Sequence, residues 1–218
     1  MASAKQSDLS GYHYNDDSAP AHTASYLMPP VLAELQNRQW EFERKSIFEV
    51  GCGNGAVAFD LTAKGFEVIG VDPSEQGVQI ANKNFPNLKL ETGSAYDDLA
   101  GKYGQFECVL SLEVVEHVFY PRQYAKAIYD LLKPGGVAII STPYHGYAKN
   151  VLLSLAGKWD SHHSPLWDYG HIKFWSVRTL SQLLEETGLQ VLRFHRVGRI
   201  PMLAKSMLAV VTKPGRAS

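Results

Sequence analysis

The sequence lacks any apolar run near the roughly 18 residues needed for a membrane-spanning helix, so no span is expected. It has little cysteine. Cys52 falls in a glycine-rich stretch and Cys108 in an apolar run, so no disulfide framework is implied and a reducing, cytoplasmic setting fits. It lacks an excess of either charge: the net value of −1 gives no whole-chain basic footprint for nucleic acid. Only the final segment leans basic, with Arg193, Arg196, Arg199, Lys205, Lys213 and Arg216 and no acid among them. A strand edge protected by charge is the favoured reading; peripheral contact with a membrane surface or a polyanion is the other. There is no internal repeat, and Ala2–Asp8 lacks the charged-then-apolar order of a signal peptide. The 218 residues suit one generous domain, or one domain with an insertion.

What is present is organised around Ile47-Phe-Glu-Val-Gly51-Cys-Gly53-Asn-Gly55, followed by the apolar helical pattern Ala56, Val57, Ala58, Leu61. This reads as a buried strand, a tight loop and a helix start. Glycine tolerates positive φ and holds no Cβ between ligand and backbone, and the free N–H groups of the helix start face whatever binds there. The stretch is a candidate nucleotide or nucleoside site.

The rest alternates strand and helix. A polar arm over residues 1–20, with Tyr12, His13 and Tyr14, is expected to dock against something; residues 21–38 read as two short helices broken at Pro29-Pro30. Strands are expected at Ser46–Val50, Phe66–Val71, Leu88–Glu91, Phe106–Ser111 and Val137–Ser141. Helices are expected over Gly55–Lys64, from the Ser74 cap to Asn84, and over Pro121–Leu132, the last closed by Lys133-Pro-Gly-Gly136. Such alternation implies a parallel sheet with helices on both faces and ligands beyond the carboxyl ends of the strands. Residues 143–170 break the rhythm. They hold many aromatics and histidines, with a short apolar helix at Val151–Leu155, and read as a lid. A helix over Ser176–Thr187 and two strands, Leu189–Val197 and Lys205–Thr212, close the chain, with one of the pair antiparallel to the rest.

Gly51-x-Gly53-x-x-Ala56 with Asp72 about 20 residues on also fits a dinucleotide fingerprint. Tyr129-x-x-x-Lys133 has dehydrogenase spacing but precedes the fifth strand instead of following it, so it reads as chance. Glu49, two residues before Gly51, suits a positive group and not a pyrophosphate. With it, Glu49-Val-Gly-Cys-Gly-Asn-Gly55, Val68-Ile-Gly-Val-Asp72-Pro-Ser, Ser111-Leu-Glu-Val-Val-Glu-His117-Val and Leu131-Leu-Lys-Pro-Gly-Gly136 resemble four ordered motifs of class I S-adenosylmethionine-dependent methyltransferases. The resemblance implies an α/β, three-layer, Rossmann-like sheet of seven strands, mostly parallel with an antiparallel C-terminal hairpin. It implies an arm with cap helices at 1–38 and a methyltransferase domain over 39–218 with the lid inserted at 143–170. Carried onto matching positions, Glu49, Gly51, Gly53 and Gly55 serve the methionine part of S-adenosylmethionine and Asp72 the ribose. Ser94 and Ala95 stand beside the adenine, and Leu112 makes a main-chain contact. Many members have an acid where Ser94 stands; its hydroxyl still hydrogen-bonds an adenine amine.

Glu113-x-x-Glu116-His117 resembles the Glu-x-x-Glu-His of ubiquinone-biosynthesis O-methyltransferases. It also resembles that of small-RNA 3′-end 2′-O-methyltransferases, which add a later histidine, here matched by His171 in Gly170-His-Ile-Lys-Phe-Trp175. On a helix, spacings of three and four put Glu113, Glu116 and His117 on one face. Glu113, Glu116, His117 and His171 are candidate ligands of a divalent cation such as magnesium, and Glu116, His117 and His171 candidate catalytic groups. A pocket-lining role without metal is the alternative, and His22, His145, His162, His163 and His195 read as separate solvated or packed rings. The expected reaction is O-methylation of a small hydroxylated aromatic or quinone-like acceptor, stacked under the aromatic lid. RNA 2′-O-methylation and an NAD-dependent dehydrogenase are the competing readings.

Overall fold

The computed structural model describes residues 14, 19–39, 45–168 and 170–215. Tyr12, His13, Tyr169 and Arg216 lie outside the described residues. Seven strands, β1 Ser46–Val50, β2 Glu67–Asp72, β3 Lys89–Thr92, β4 Phe106–Leu112, β5 Leu132–Pro143, β6 Gln190–Val197 and β7 Ser206–Thr212, form one sheet in the order β3-β2-β1-β4-β5-β7-β6. The first five are parallel. β7 is antiparallel to β5 and to β6, so β7 alone runs against the rest. Strand order reverses between β1 and β4, which opens a crevice beyond their carboxyl ends.

Side-chain alternation along the strands builds the three layers. Phe48, Val50, Val109, Ala138 and Ile140 join one core, with α5 (Pro121–Leu131) and α8 (Val177–Glu186) above them. Ile47, Cys108, Leu110 and Ile139 join the other, under α1 (Ala24–Asn37), α2 (Ala56–Ala63) and α3 (Glu75–Asn84). Each fully buried aliphatic side chain stabilises the fold by about 1.5–3 kcal/mol. Caps fall where the sequence puts them: Ser74 Oγ accepts from Gly77 N, and Ser176 and Thr179 form a reciprocal capping box.

Two expectations fail. Within residues 21–38 there is one helix, α1 (Ala24–Asn37), with Pro29 and Pro30 inside it. Two helical N–H donors are missing, but Leu27, Val31 and Leu35 lie four residues apart on one buried face that runs across the prolines. Their burial outweighs the lost bonds. The Lys133–Gly136 turn does not precede β5 but is looped out within it, opposite Glu107, and Gly135 N donates to Lys213 O. A short helix, α4 (Leu99–Tyr103), lies between β3 and β4, where no element was expected.

The basic tail is largely used by the fold. β6 is the sheet edge. Arg193 donates twice to Glu34 of α1, at 2.8 and 2.7 Å, and His195 Nε2 lies 2.6 Å from the same carboxylate. The Arg193 hydrogen bond holds the Glu34 carboxyl below its ordinary range. His195 is therefore structural.

Candidate functional site

The crevice widens into a cavity of about 900 Å³, walled by β-strand ends on one side and residues 143–172 on the other. At the β1–β2 end the glycine loop is tight. Gly51 takes φ +88°, its N–H donates to Val71 O, and a Cβ there would lie 2.3 Å from Val114 Cγ2, so no other residue fits. Asp72 ties loop to strand: Oδ2 accepts from Gly53 N at 2.9 Å and Oδ1 from Ser74 N at 2.8 Å. Gly55 caps α2 in the left-handed region. Glu49 lines the cavity yet is only 2% exposed, and its Oε2 has no hydrogen-bond partner. Burial, with Asp72 adding to it, pushes its carboxyl up to about 8. Ser94 N donates to Asp97 Oδ2 and its hydroxyl accepts from Tyr96 N; Ala95 and Leu112 complete the wall.

Tyr14 also belongs here. Its phenol crosses the loop, with Oη 2.5 Å from where a Gly53 Cβ would stand, and its carbonyl accepts from Gln76 Nε2. Its position in an aromatic trio within a polar arm was the signal.

The segment after β4 departs from expectation. Residues 113–120 are not helical; Glu113 takes φ +56° and residues 115–117 form a turn. Glu113, Glu116 and His117 therefore do not share a helical face. The Glu113 carboxylate accepts from Ser141 Oγ at 2.8 Å and Ser206 Oγ at 3.3 Å, and burial pushes it up to about 7. Instead, the turn is stitched to the irregular segment Gly170–Trp175. Glu116 O accepts from Ile172 N and Lys173 N, Val115 O from Trp175 Nε1, and Gly170 O lies 3.2 Å from His117 Nδ1. This stitching brings in His171.

The structure so gathers three of the four candidate ligands. One ligand atom each from Glu116, His117 and His171 lies within 4.8 Å of the others, and Glu113 stays outside the group. Glu116 is 1% exposed and neither carboxylate oxygen has a hydrogen bond. Burial first, then the Glu113 carboxylate, raise it well above the ordinary range. Burial and the neighbouring His117 push His171 down to about 4, so its ring is neutral. His117 and His171 stand at 4.9 Å, ring to ring, and Trp167 packs on both.

Across the cavity the segment after β5 forms α6 (Tyr147–Leu155), longer than the expected Val151–Leu155, and α7 (Trp159–His163). His145, His162 and His163 are not separate rings: they cluster with Phe174 at 4.8–5.7 Å between centroids. Lys149 is buried beside them, donating to Tyr144 O and Ala204 O. Tyr129 and Lys133 are absent from the cavity wall, which removes the dehydrogenase pair.

A family profile described as "Methyltransferase domain" matches residues 21–193. The ubiquinone biosynthesis O-methyltransferase of Dinoroseobacter shibae is 32% identical over 185 residues, which is 76% of this chain and 73% of that protein. The chain spans 54–73% of the length of the curated relatives of that name. Among solved structures, magnesium protoporphyrin IX methyltransferase from Synechocystis with bound SAH superposes with a TM-score of 0.65 at 17% identity, covering 85% of this chain and 81% of that one. The [4+2]-cyclase SpnF superposes equally well, at 0.66 and 13% identity, over 93% and 86% of the two chains. The fold is therefore shared across different chemistries, and the site must carry the function.

Proposed function

The chain belongs to the S-adenosylmethionine-dependent methyltransferase family, and from that premise we propose that it methylates a hydroxyl oxygen of a small aromatic or quinone-like acceptor. The observation that carries the choice of oxygen is the buried Glu116 carboxylate, without a hydrogen bond, beside the imidazoles of His117 and His171, which line the cavity together with Glu49. The curated relatives' name points the same way.

The residues fit the cofactor. Glu49, orphaned and buried, suits the ammonium of its methionine part. Asp72 keeps lone pairs for ribose hydroxyls beyond its two backbone bonds. Gly51, Gly53 and Gly55 leave the loop backbone uncovered, Ser94 and Ala95 suit the adenine, and Leu112 offers main chain. When bound, the cofactor supplies a methyl group already activated on sulfur, so the protein's task is chiefly alignment for in-line attack.

The acceptor hydroxyl must lose its proton. With His117 Nδ1 directed at Gly170 O, Nε2 is the basic nitrogen, and it can take that proton when no cation occupies it. The donor set also fits a divalent cation such as magnesium, held by Glu116, His117 and His171, which would lower the pKa of a hydroxyl bound to it. Hydrogen bonding of one ring nitrogen to a carbonyl is the usual support for a ligating histidine. A net charge of −1, with no whole-chain basic track for a phosphate backbone, favours a small acceptor over a polynucleotide. The test supplies carbon-labelled S-adenosylmethionine and a catechol. The expected product is a methyl ether; label attached to ring carbon, or no transfer to any hydroxylated aromatic or quinol, would remove the reading.

A further inference from the structure

From the N-terminal arm, Tyr14 enters the cavity wall, which it shares with Glu49, Gly53 and Asp72. Its ring is seated between the glycine loop and α3. A Cβ on Gly53 would stand 2.5 Å from Tyr14 Oη, and a Cβ on Gly77, the third residue of α3, 2.9 Å from Tyr14 Cε2. Glycine inside a helix costs stability relative to alanine, so α3 is weakened at the one place where the ring needs room. The arm is tied at two further points. Gln76 Nε2 donates to Tyr14 O at 3.3 Å, and Asn54 Nδ2 donates to Ala19 O at 2.9 Å. Loop and helix thus both supply a seat for a residue that belongs to none of the sequence motifs.

The methionine part of S-adenosylmethionine carries a carboxylate on the same carbon as its ammonium. A group that faces Glu49 with its ammonium must therefore have its carboxylate received close by. Every Lys and Arg that lines the cavity comes from residues 149–205, and none from the arm, the glycine loop or the ends of β1, β2 and β3. The charge that acts on Glu49 is that of another acid, Asp72. A lysine placed there would pair with these acids and compete with the ammonium. A phenol donates to a carboxylate and brings no charge of its own. We propose that Tyr14 is a cofactor-binding residue: its hydroxyl donates to the carboxylate of the methionine part, and its ring closes the arm over the glycine loop. The proposal needs the cofactor and not the acceptor, so it is tested separately from the O-methylation reading.

The claim concerns a carboxylate, so a ligand with one and a ligand without it decide the matter. S-adenosylhomocysteine and its decarboxylated counterpart, which keeps the ammonium, are titrated calorimetrically into the parent and into Tyr14→Phe, a variant that keeps the ring in its seat. Loss of one charge-assisted hydrogen bond is expected to weaken S-adenosylhomocysteine about tenfold in Tyr14→Phe and to leave the decarboxylated ligand within about twofold of the parent. Gly77→Ala, which fills the space of the ring from the helix side, is expected to weaken S-adenosylhomocysteine by about the same factor. Unchanged affinity for S-adenosylhomocysteine in Tyr14→Phe overturns the proposal. Equal losses for the two ligands overturn it as well, because the hydroxyl then serves the nucleoside or the packing. A selective loss for S-adenosylhomocysteine, in a parent that transfers no methyl group to a hydroxyl, keeps the proposal and removes the O-methylation reading.

Discussion

Glu116→Gln and His117→Ala are each expected to lower kcat for O-methyl transfer by about 10²–10⁴-fold, the range for loss of a positioned proton acceptor or of metal assistance. The dissociation constant for S-adenosylmethionine should stay within about threefold, because neither residue lies at the glycine loop. Glu116→Gln preserves shape and removes only the capacity for charge. The wild-type carboxylate is buried and unpartnered, so without a cation the variant is expected to be at least as stable as the parent. Added magnesium should raise the melting temperature of the parent and leave Glu116→Gln unmoved. The carboxyl must give up its proton to bind metal, and its pKa is raised, so metal affinity should increase with pH. Full turnover by both variants would show that the cluster only lines the pocket.

Glu49→Gln is expected to weaken S-adenosylmethionine binding by about a hundredfold, as when one partner of a buried ion pair is removed. The same substitution has an opposite effect on the ligand-free protein. The folded-state pKa of about 8 stands above the ordinary carboxyl value, so the folded chain holds a proton that the unfolded chain releases. Stability contributed by that proton is complete below the unfolded pKa and is lost as pH rises towards 8, with a slope of at most about 1.4 kcal/mol per pH unit for this group. Thermal unfolding of the ligand-free protein from pH 5 to pH 8 should therefore show a falling melting temperature, and Glu49→Gln should flatten the fall. Cofactor should stabilise the parent most at the upper end. A parent curve that rises over this range, or unchanged cofactor affinity in the variant, would sever Glu49 from the ammonium.

Much of this site follows from local chemistry. An apolar run ending in alternate glycines makes a strand and a loop wherever it occurs, and Asp72 two strand-lengths later must end the neighbouring strand. The register Val50 to Val71 confirms that adjacency. The failures share another cause. The positive φ of Glu113 cannot be read from a glutamate; it is imposed by a carboxylate drawn to Ser141 and Ser206, residues 28 and 93 positions away. Helical spacing then misplaces the cluster, though His171 was found by motif. Pro29 and Pro30 mark a break in any isolated peptide, and only burial against the sheet keeps α1 whole. The cluster of His145, His162 and His163 exists because α7 folds back onto the end of β5, which no spacing reveals. Tyr14 reaches the loop from a segment with no periodicity at all.

The central claim is that oxygen is methylated at the Glu116–His117–His171 cluster. The most direct measurement is transfer of labelled methyl from S-adenosylmethionine to a catechol in excess EDTA and after magnesium is restored, for the parent and for His171→Ala. The account predicts a methyl ether whose formation collapses in EDTA, returns with magnesium, and does not return in His171→Ala. Equal rates with and without EDTA, undiminished in His171→Ala, would contradict it.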